Sequence, residues 1–447
     1  MAPAPTTSRS RDQAASDPTE AVYRKVTLRL IPLLFFCYML NYMDRANIGF
    51  AKLQMESSLG FTDAVYGLAA GIFFIGYALF EVPSNLLLRR IGARMTILRI
   101  MVLWGLTSAA TMFVQTPAQF YVARFLLGVF EAGFFPGIVL YLTFWYPQER
   151  RARMVSWFLL ASVVAAIVTG PLSGWIMKNM HGVHGWEGWQ WMFLLEGLPT
   201  VALGFVVYFT LADSPAQARW LSVGEKQFIV RALAGTQDDA SASGSLGAVL
   251  RDPAVYLLSA IGFLTIFGIY FLSFWLPTIF RDIGVTDVQK IGLYVLVPNL
   301  AAAIFMIWFS RRSDLRQERC GHFTFAAVIA TAGFLGAASA VPANQINGAL
   351  LAFVVTGFGV MSMLPIFWAI CTATLSKQAA PAGIAFINTL ANLAGMASPV
   401  LIGTIKTQTG SMTGGLMLSA ALVALAAILL LAGTRTRRMA AARGEAA

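Results

Sequence analysis

The sequence predicts an all-α membrane protein of twelve transmembrane helices in two six-helix halves, and three observations carry the prediction. Of its 447 residues 57% are hydrophobic and only 12% charged, with a mean hydropathy of +0.69. Soluble domains average about 25% charged side chains, so this chain has too few to cover a water-facing surface. Its apolar residues fall in long blocks of about twenty, enough to cross a hydrocarbon core about 30 Å thick, rather than in the alternating ten-residue segments of a barrel. The blocks number twelve, and one long polar stretch divides them six and six.

Apolar runs bounded by charge, Gly or Pro place helices at 26–49, 64–88, 95–115, 118–144, 154–177 and 191–212, then at 254–280, 290–310, 322–341, 346–375, 381–406 and 413–433. They define an N-terminal half over 26–212 and a C-terminal half over 254–433, between a polar tail at 1–25 and a basic tail at 434–447. Residues 213–253 form the central loop, with Asp213-Ser214-Pro215, Gln237-Asp238-Asp239 and the Ser/Gly/Ala run 240–248. The first 25 residues lack an apolar core ahead of a small-residue cleavage site and read as a tail, not a signal peptide.

The net charge of +11 would suggest a nucleic-acid partner in a soluble protein. Sorted by loop, 23 Lys and Arg lie on the side of the N-terminus, five (Lys52, Lys178, Arg281, Lys290, Lys406) on the other, and four within spans. The positive-inside rule then makes both termini cytoplasmic, with the basic excess facing an anionic leaflet and no nucleic acid implied. Cys37, Cys320 and Cys371 form neither an even framework nor a CxxC pair, and His181, His184 and His322 lack ligand spacing. With no Walker A sequence and a central loop too short for a catalytic domain, no enzyme, metal or cofactor is expected.

An ionisable group at the bilayer centre costs about 2.5–3.5 kcal/mol on insertion scales, so each such charge needs a reason. Helix one carries Asn41, Asp44 and Arg45 on one face. Helix two has a stripe of Tyr77, Glu81 and Asn85, with Glu81 near its cytoplasmic end and better suited to pair with Arg89 or Arg90 than to titrate. In helix four Arg124, Gly128 and Glu131 line up over two turns. These could be buried ion pairs that only fix packing, but such pairs are weak stabilisers and a water-filled path with titrating acids explains them better. Arg29 and Arg99 are close enough to span ends to snorkel. Glu196, beside Trp189 and Trp191, reads as a residue at the interface or accepting from nearby backbone, without an assigned role. Helix five carries Thr169-Gly170-Pro171-Leu172-Ser173-Gly174 and helix eleven Ser398-Pro399-Val400-Leu401-Ile402-Gly403, an internal echo suited to a moving interface between halves. The second half is nearly uncharged in its spans. Helix ten offers Pro365, Trp368, Cys371 and Thr372, and helix eleven offers Asn388 and Asn392, which should face a cavity or a neighbouring helix.

The two six-span halves, the basic segment Arg89-Arg90-Ile91-Gly92-Ala93-Arg94 and the long central loop resemble the major facilitator superfamily. NYMDRANIGFAKLQM (41–55), ARFLLGVFEAGFFPG (123–137), GWQWMFLLEGLP (188–199) and FINTLANLAGMASP (386–399) resemble the anion:cation symporter family within it. That family includes bacterial tartrate, sugar-acid, phthalate and hydroxyphenylacetate permeases. The resemblance implies proton-coupled symport of a small organic carboxylate by alternating access, driven by the proton gradient without a cofactor. It further implies a monomer in the bacterial cytoplasmic (inner) membrane. It places a carboxylate clamp on Arg45, a proton-carrying pair on Asp44 and Glu131 with Arg124 as their tuning partner, and a ligand pocket on Tyr42, Tyr77, Trp368 and Asn388. Asn392, one turn beyond Asn388, joins this lining or bonds a neighbouring helix. The superfamily's Gly-x-x-x-Asp-Arg loop departs here, with Asn85 and Arg89 at its Gly and Asp positions. The second half has the irregular Arg311-Arg312-Ser313-Asp314. A drug or metabolite antiporter is the alternative, since Gly170-Pro171-Leu172-Ser173-Gly174 partly resembles an antiporter motif. The arginines inside the spans argue against a cationic drug.

Overall fold

The structure, a computed structural model, describes residues 18–234, 250–316, 318–375 and 380–442, and all regular secondary structure among them is helical. Twelve helical segments are long and apolar enough to cross a membrane. They are Thr19–Leu59, Asp63–Leu88, Ala93–Phe113, Pro117–Thr143, Gln148–Asn179 and Gly188–Thr210 in the first half. Pro253–Asp282, Val288–Arg316, Cys320–Ala340, Ile346–Thr374, Ala382–Thr409 and Thr413–Thr434 make up the second. An even number of crossings returns the chain to the end of the bundle where it began, the terminal end, opposite the far end.

Two boundaries differ from the sequence expectation, for one physical reason. The first helix starts at Pro18, inside what reads as a polar tail, and the central loop folds onto the first half over its first residues. Tyr23 is buried between Tyr146 and Phe228, Trp145 stacks on Trp220 with centroids 5.7 Å apart, and Lys25 pairs with Glu225 at 2.9 Å. A short helix, Val223–Ala234, therefore buries Ile229 against the N-terminal half. Aromatic burial of this kind outweighs the local polarity that a composition reading uses. The backbone N–H of Ser222 and the Lys25 ammonium hold the Glu225 carboxyl below the usual range. Gln237-Asp238-Asp239 and the run 240–248 lie outside the described residues.

Of the spans that read as continuous, the fourth is broken, and the first and eleventh each carry one irregular turn at a residue that keeps helical dihedrals. The first consists of Pro18–Ala46 and Ile48–Leu59, meeting at Asn47. The fourth consists of Pro117–Glu131 and Phe134–Thr143, and the eleventh of Ala380–Asn392 and Ala394–Thr409. In the fourth the break needs Gly133, whose φ of +83° a side chain would strain and whose added Cβ would press on Ser84. Asp44 and Arg45 lie just before the turn in the first span, Glu131 ends its helix at the break in the fourth, and Asn392 ends its helix at the turn in the eleventh. A break such as that at Gly133 is tolerated in a membrane where protein covers the freed backbone groups.

The two halves meet at the far end. Both members of the internal echo lie on this seam. Gly170 and Gly174 face Gly292 and Val288 of the eighth span, and Gly67 of the second span lies against Pro399 and Gly403, each too close to admit a Cβ. Around the seam, Lys52, Glu56 and Asp63 from the first half meet Arg281, Asp282 and Lys406 from the second. Lys52 reaches Asp63 at 2.6 Å and Glu56 at 3.3 Å; Lys406 reaches Asp282 at 2.7 Å and Asp63 at 3.2 Å; Arg281 pairs with Glu56. Lys178 donates to Asp287 at 2.5 Å, which holds that exposed carboxyl below its usual range, so this pair is lost only as pH falls into the acid range. Tyr66 Oη donates to the Phe274 carbonyl at 2.8 Å. Among the described residues, the hydrogen bonds and ion pairs seen between the halves lie at this end, so the far end is shut.

Lys406 is buried and reaches Asp63 across the seam while pairing with Asp282 of its own half. Lys406→Met should open the far end more often. With Cys37, Cys320 and Cys371 replaced and Val400→Cys as the reporter, an impermeant maleimide should label several-fold faster in the Lys406→Met background. Equal rates would show that these charges do not hold the seam.

Candidate functional site

The fold brings the intramembrane charges together. Arg45, half-buried, pairs through Nε and Nη2 with Oε1 of the fully buried Glu131. Its guanidinium also lies 4.9 Å from the centroid of the Tyr77 ring and 5.4 Å from that of Phe73. Arg124 is 1% exposed, and its three guanidinium nitrogens have no hydrogen-bond partner among the described residues. It rests against the other side of this cluster, 5.2 Å from the Phe73 centroid and within electrostatic reach of Glu131, Asp44 and Tyr66. The stripe in helix four thus does not pair Arg124 with Glu131; Glu131 turns to Arg45 across the helix interface. A buried guanidinium without partners has unused capacity for an anion.

Asp44, 1% exposed, faces away from this cluster. Its Oδ1 accepts from Ser108 Oγ at 2.7 Å and Asn47 Nδ2 at 3.2 Å, and its Oδ2 accepts from Trp104 Nε1. It makes no ion pair among the described residues. Glu196, expected at the interface or on nearby backbone, is instead buried on the same network, accepting from Ser173 Oγ at 2.7 Å and Asn47 Nδ2 at 3.0 Å. The flanking tryptophans suggested an interface, but Trp189 is itself buried, donating to Ser58 Oγ at 3.2 Å. Glu81 forms no ion pair with Arg90, which is exposed; the charge that reaches it is that of Arg45. The side chain of Arg89 lies outside the description. Arg99 does not snorkel freely but donates to Ser84 Oγ at 2.7 Å.

Tyr42 and Tyr77 both lie within the field of Arg45, the first edge-on to Tyr38 with centroids 6.1 Å apart. The second half reaches the cluster through a residue the sequence reading missed. Tyr270 of the seventh span lies within reach of Tyr42, Arg45, Tyr77 and Glu131, stacked on Phe274 and edge-on to Phe74. Nothing local in the run Phe267 to Trp275 separates it from its aromatic neighbours. Trp368 is half-buried against Phe367, with no contact to the arginine cluster seen. Asn388 and Asn392 are half-exposed, and neither side chain hydrogen-bonds to a described residue. A cavity of about 710 Å³ lies elsewhere, between the third and fourth spans, lined by Leu106, Phe113, Val122 and Phe130 among others. No group of three His, Cys, Asp or Glu is placed to hold a metal among the described residues.

The sequence profile described as Major Facilitator Superfamily matches residues 34–399. A protein of Agrobacterium vitis that carries the name of a tartrate transporter is 44% identical over 422 residues, 94% of this chain and 96% of that one. A quinolone resistance transporter of Acinetobacter baumannii is 40% identical over 400 residues, 88% of this chain and 91% of that one. Among solved structures, a bacterial homologue of the human lysosomal transporter Spinster aligns with a TM-score of 0.75 over 91% of this chain and 96% of that chain. Its sequence identity is 15%, a likeness of fold.

Proposed function

The chain belongs to the major facilitator superfamily and is a multi-pass membrane transporter, not an enzyme; from that premise we propose that it takes up a small organic carboxylate together with protons by alternating access. The observation that carries this reading is the arginine pair: Arg45 held by Glu131, and Arg124 buried without a hydrogen-bond partner among the described residues. A guanidinium matches two carboxylate oxygens with a planar fork, so the two arginines favour an anion over a neutral sugar. While Glu131 is ionised it competes with the substrate for Arg45. Taking a proton removes its charge and releases the fork, so proton and anion bind together and the coupling is reciprocal.

Tyr42, Tyr77 and Tyr270 then pack the substrate body, and Asn388 and Asn392, with free hydrogen-bonding groups, suit hydroxyls carried by a tartrate or sugar acid. Trp368 remains a candidate for the rim. The terminal end is assigned to the cytoplasm, which makes the shut far end external and the structure inward-facing. The protein works as a monomer in the bacterial inner membrane, with the proton gradient as its energy source.

A second reading, proton-driven efflux of a drug or metabolite, draws support from the quinolone resistance relative. Proteoliposomes with entrapped pyranine separate the two. Tartrate, hexonates, phthalate, hydroxyphenylacetate and nicotinate are added outside in turn, and export of a cationic dye is measured alongside. Proton influx on addition of at least one carboxylate is expected. Dye export without any carboxylate-dependent influx would replace this function with the second.

A further inference from the structure

The first half buries three carboxyls, Asp44, Glu131 and Glu196, against two guanidiniums, Arg45 and Arg124. Arg45 is engaged by Glu131, and Arg124 reaches Glu131 and Asp44. Glu196 forms no ion pair among the described residues; its carboxylate accepts only from Ser173 and Asn47 there. The remaining groups around Asp44 and Glu196 are neutral: Ser108 and Trp104 from the third span and Ser173 from the fifth. Between the acids stands Asn47, fully buried, at the irregular turn of the first span. Its Nδ2 donates to both carboxyls, and its Oδ1 has no partner.

An amide presents two donors at one end and an acceptor at the other, with nearly the same shape either way round. With the NH2 turned inward, Asn47 serves two carboxylates. With the oxygen inward, it accepts the O–H of a protonated carboxyl. The orphaned Oδ1 is the acceptor that a proton-bearing acid at this place requires.

We propose that Glu196 binds and releases a proton during transport, coupled to Asp44 through Asn47, and that its charge is read by the fifth span through Ser173. The proposal rests on the proton-coupled reading above and adds a third acid to it. The step is an association: the carboxylate takes one proton from water and becomes a carboxyl, and the same proton leaves when the carboxylate reforms. Ser173 lies between Gly170 and Gly174, the two glycines seated on the eighth span at the seam. One hydrogen bond therefore separates the titrating group from the surface that must part.

The test uses the full-length protein in nanodiscs, with infrared difference spectra recorded as pH is stepped in the absence of substrate. The wild type should give a carboxyl C=O band that Glu196→Gln removes in part, and the remaining band should titrate at a shifted pH. Asn47→Leu keeps both acids and removes the bridge, so the two carboxyls should titrate independently; it carries the test if Glu196→Gln folds poorly. In proteoliposomes, the pH midpoint of tartrate uptake should move by about a unit in Glu196→Gln, whereas a residue that only packs would lower the rate at all pH values alike. Unchanged spectra in both variants overturn the proposal. A Glu196-dependent band without any pH dependence of wild-type uptake would instead overturn proton coupling while leaving Glu196 as a titrating group.

Discussion

Glu131→Gln should abolish uphill uptake driven by a pH gradient while counterflow of labelled substrate continues. Glutamine keeps the shape of the side chain but can neither carry the proton nor neutralise Arg45. The fork is then free at every pH, and substrate exchanges without a proton. One proton moving down one pH unit is worth about 1.4 kcal/mol, so if one proton rides with each substrate the gradient sustains about tenfold accumulation. The variant should bring that ratio to unity. Gradient-driven accumulation that survives the substitution would remove Glu131 from the coupling role.

Arg45→Lys should lose most substrate binding. An ammonium offers no planar fork, and it gives up the stacking of a guanidinium on Tyr77 and Phe73. Each hydrogen bond between charged groups is worth about 1.5–3 kcal/mol, so the loss of one prong corresponds to roughly a ten- to hundredfold weaker Kd. The measurement is direct binding of the anion identified in the uptake screen. Near-normal affinity would sink the clamp, because charge alone would then suffice. Arg45 is also the group that neutralises Glu131, and removing one member of a buried pair costs about 3–5 kcal/mol, so protein stability should be monitored beside affinity.

The bundle was legible in the sequence because a hydrocarbon core imposes length and apolarity on every crossing, and Asp44, Arg45, Arg124 and Glu131 stood out because charge in such runs is rare. Partner choice was not legible. Spacing along helix four puts Arg124 and Glu131 on one stripe, but spacing is blind to a neighbouring helix, and Glu131 turns to Arg45, 86 positions earlier. The irregular turn at Asn47 has no Gly or Pro at it, and that at Leu393 has Gly395 and Pro399 only beyond it. Arg281 and Lys406 read as a sparse scatter of charges because their partners across the seam, Glu56 and Asp63, lie more than 200 positions away. Burial of Glu196 was hidden by its tryptophan neighbours, which mark an interface elsewhere and here are part of the packing. The division of labour between the halves was visible in outline: the titratable groups are on the first, and the second adds neutral lining, including a Tyr270 that no local pattern distinguishes.

The seam of glycines bears on something other than cargo. On the proton-coupled reading proposed above, the carrier must not conduct protons while idle, and a file of waters from one face of the membrane to the other would do so. Where Gly170 meets Gly292 and Gly67 meets Pro399, backbone lies on backbone, and even a methyl group would press on a carbonyl oxygen. That leaves no space for a water, which takes up about 30 Å³ in the liquid. Small residues here are thus insulation: they keep a resting copy of the protein from short-circuiting the membrane potential on which every gradient-driven process in the cell depends.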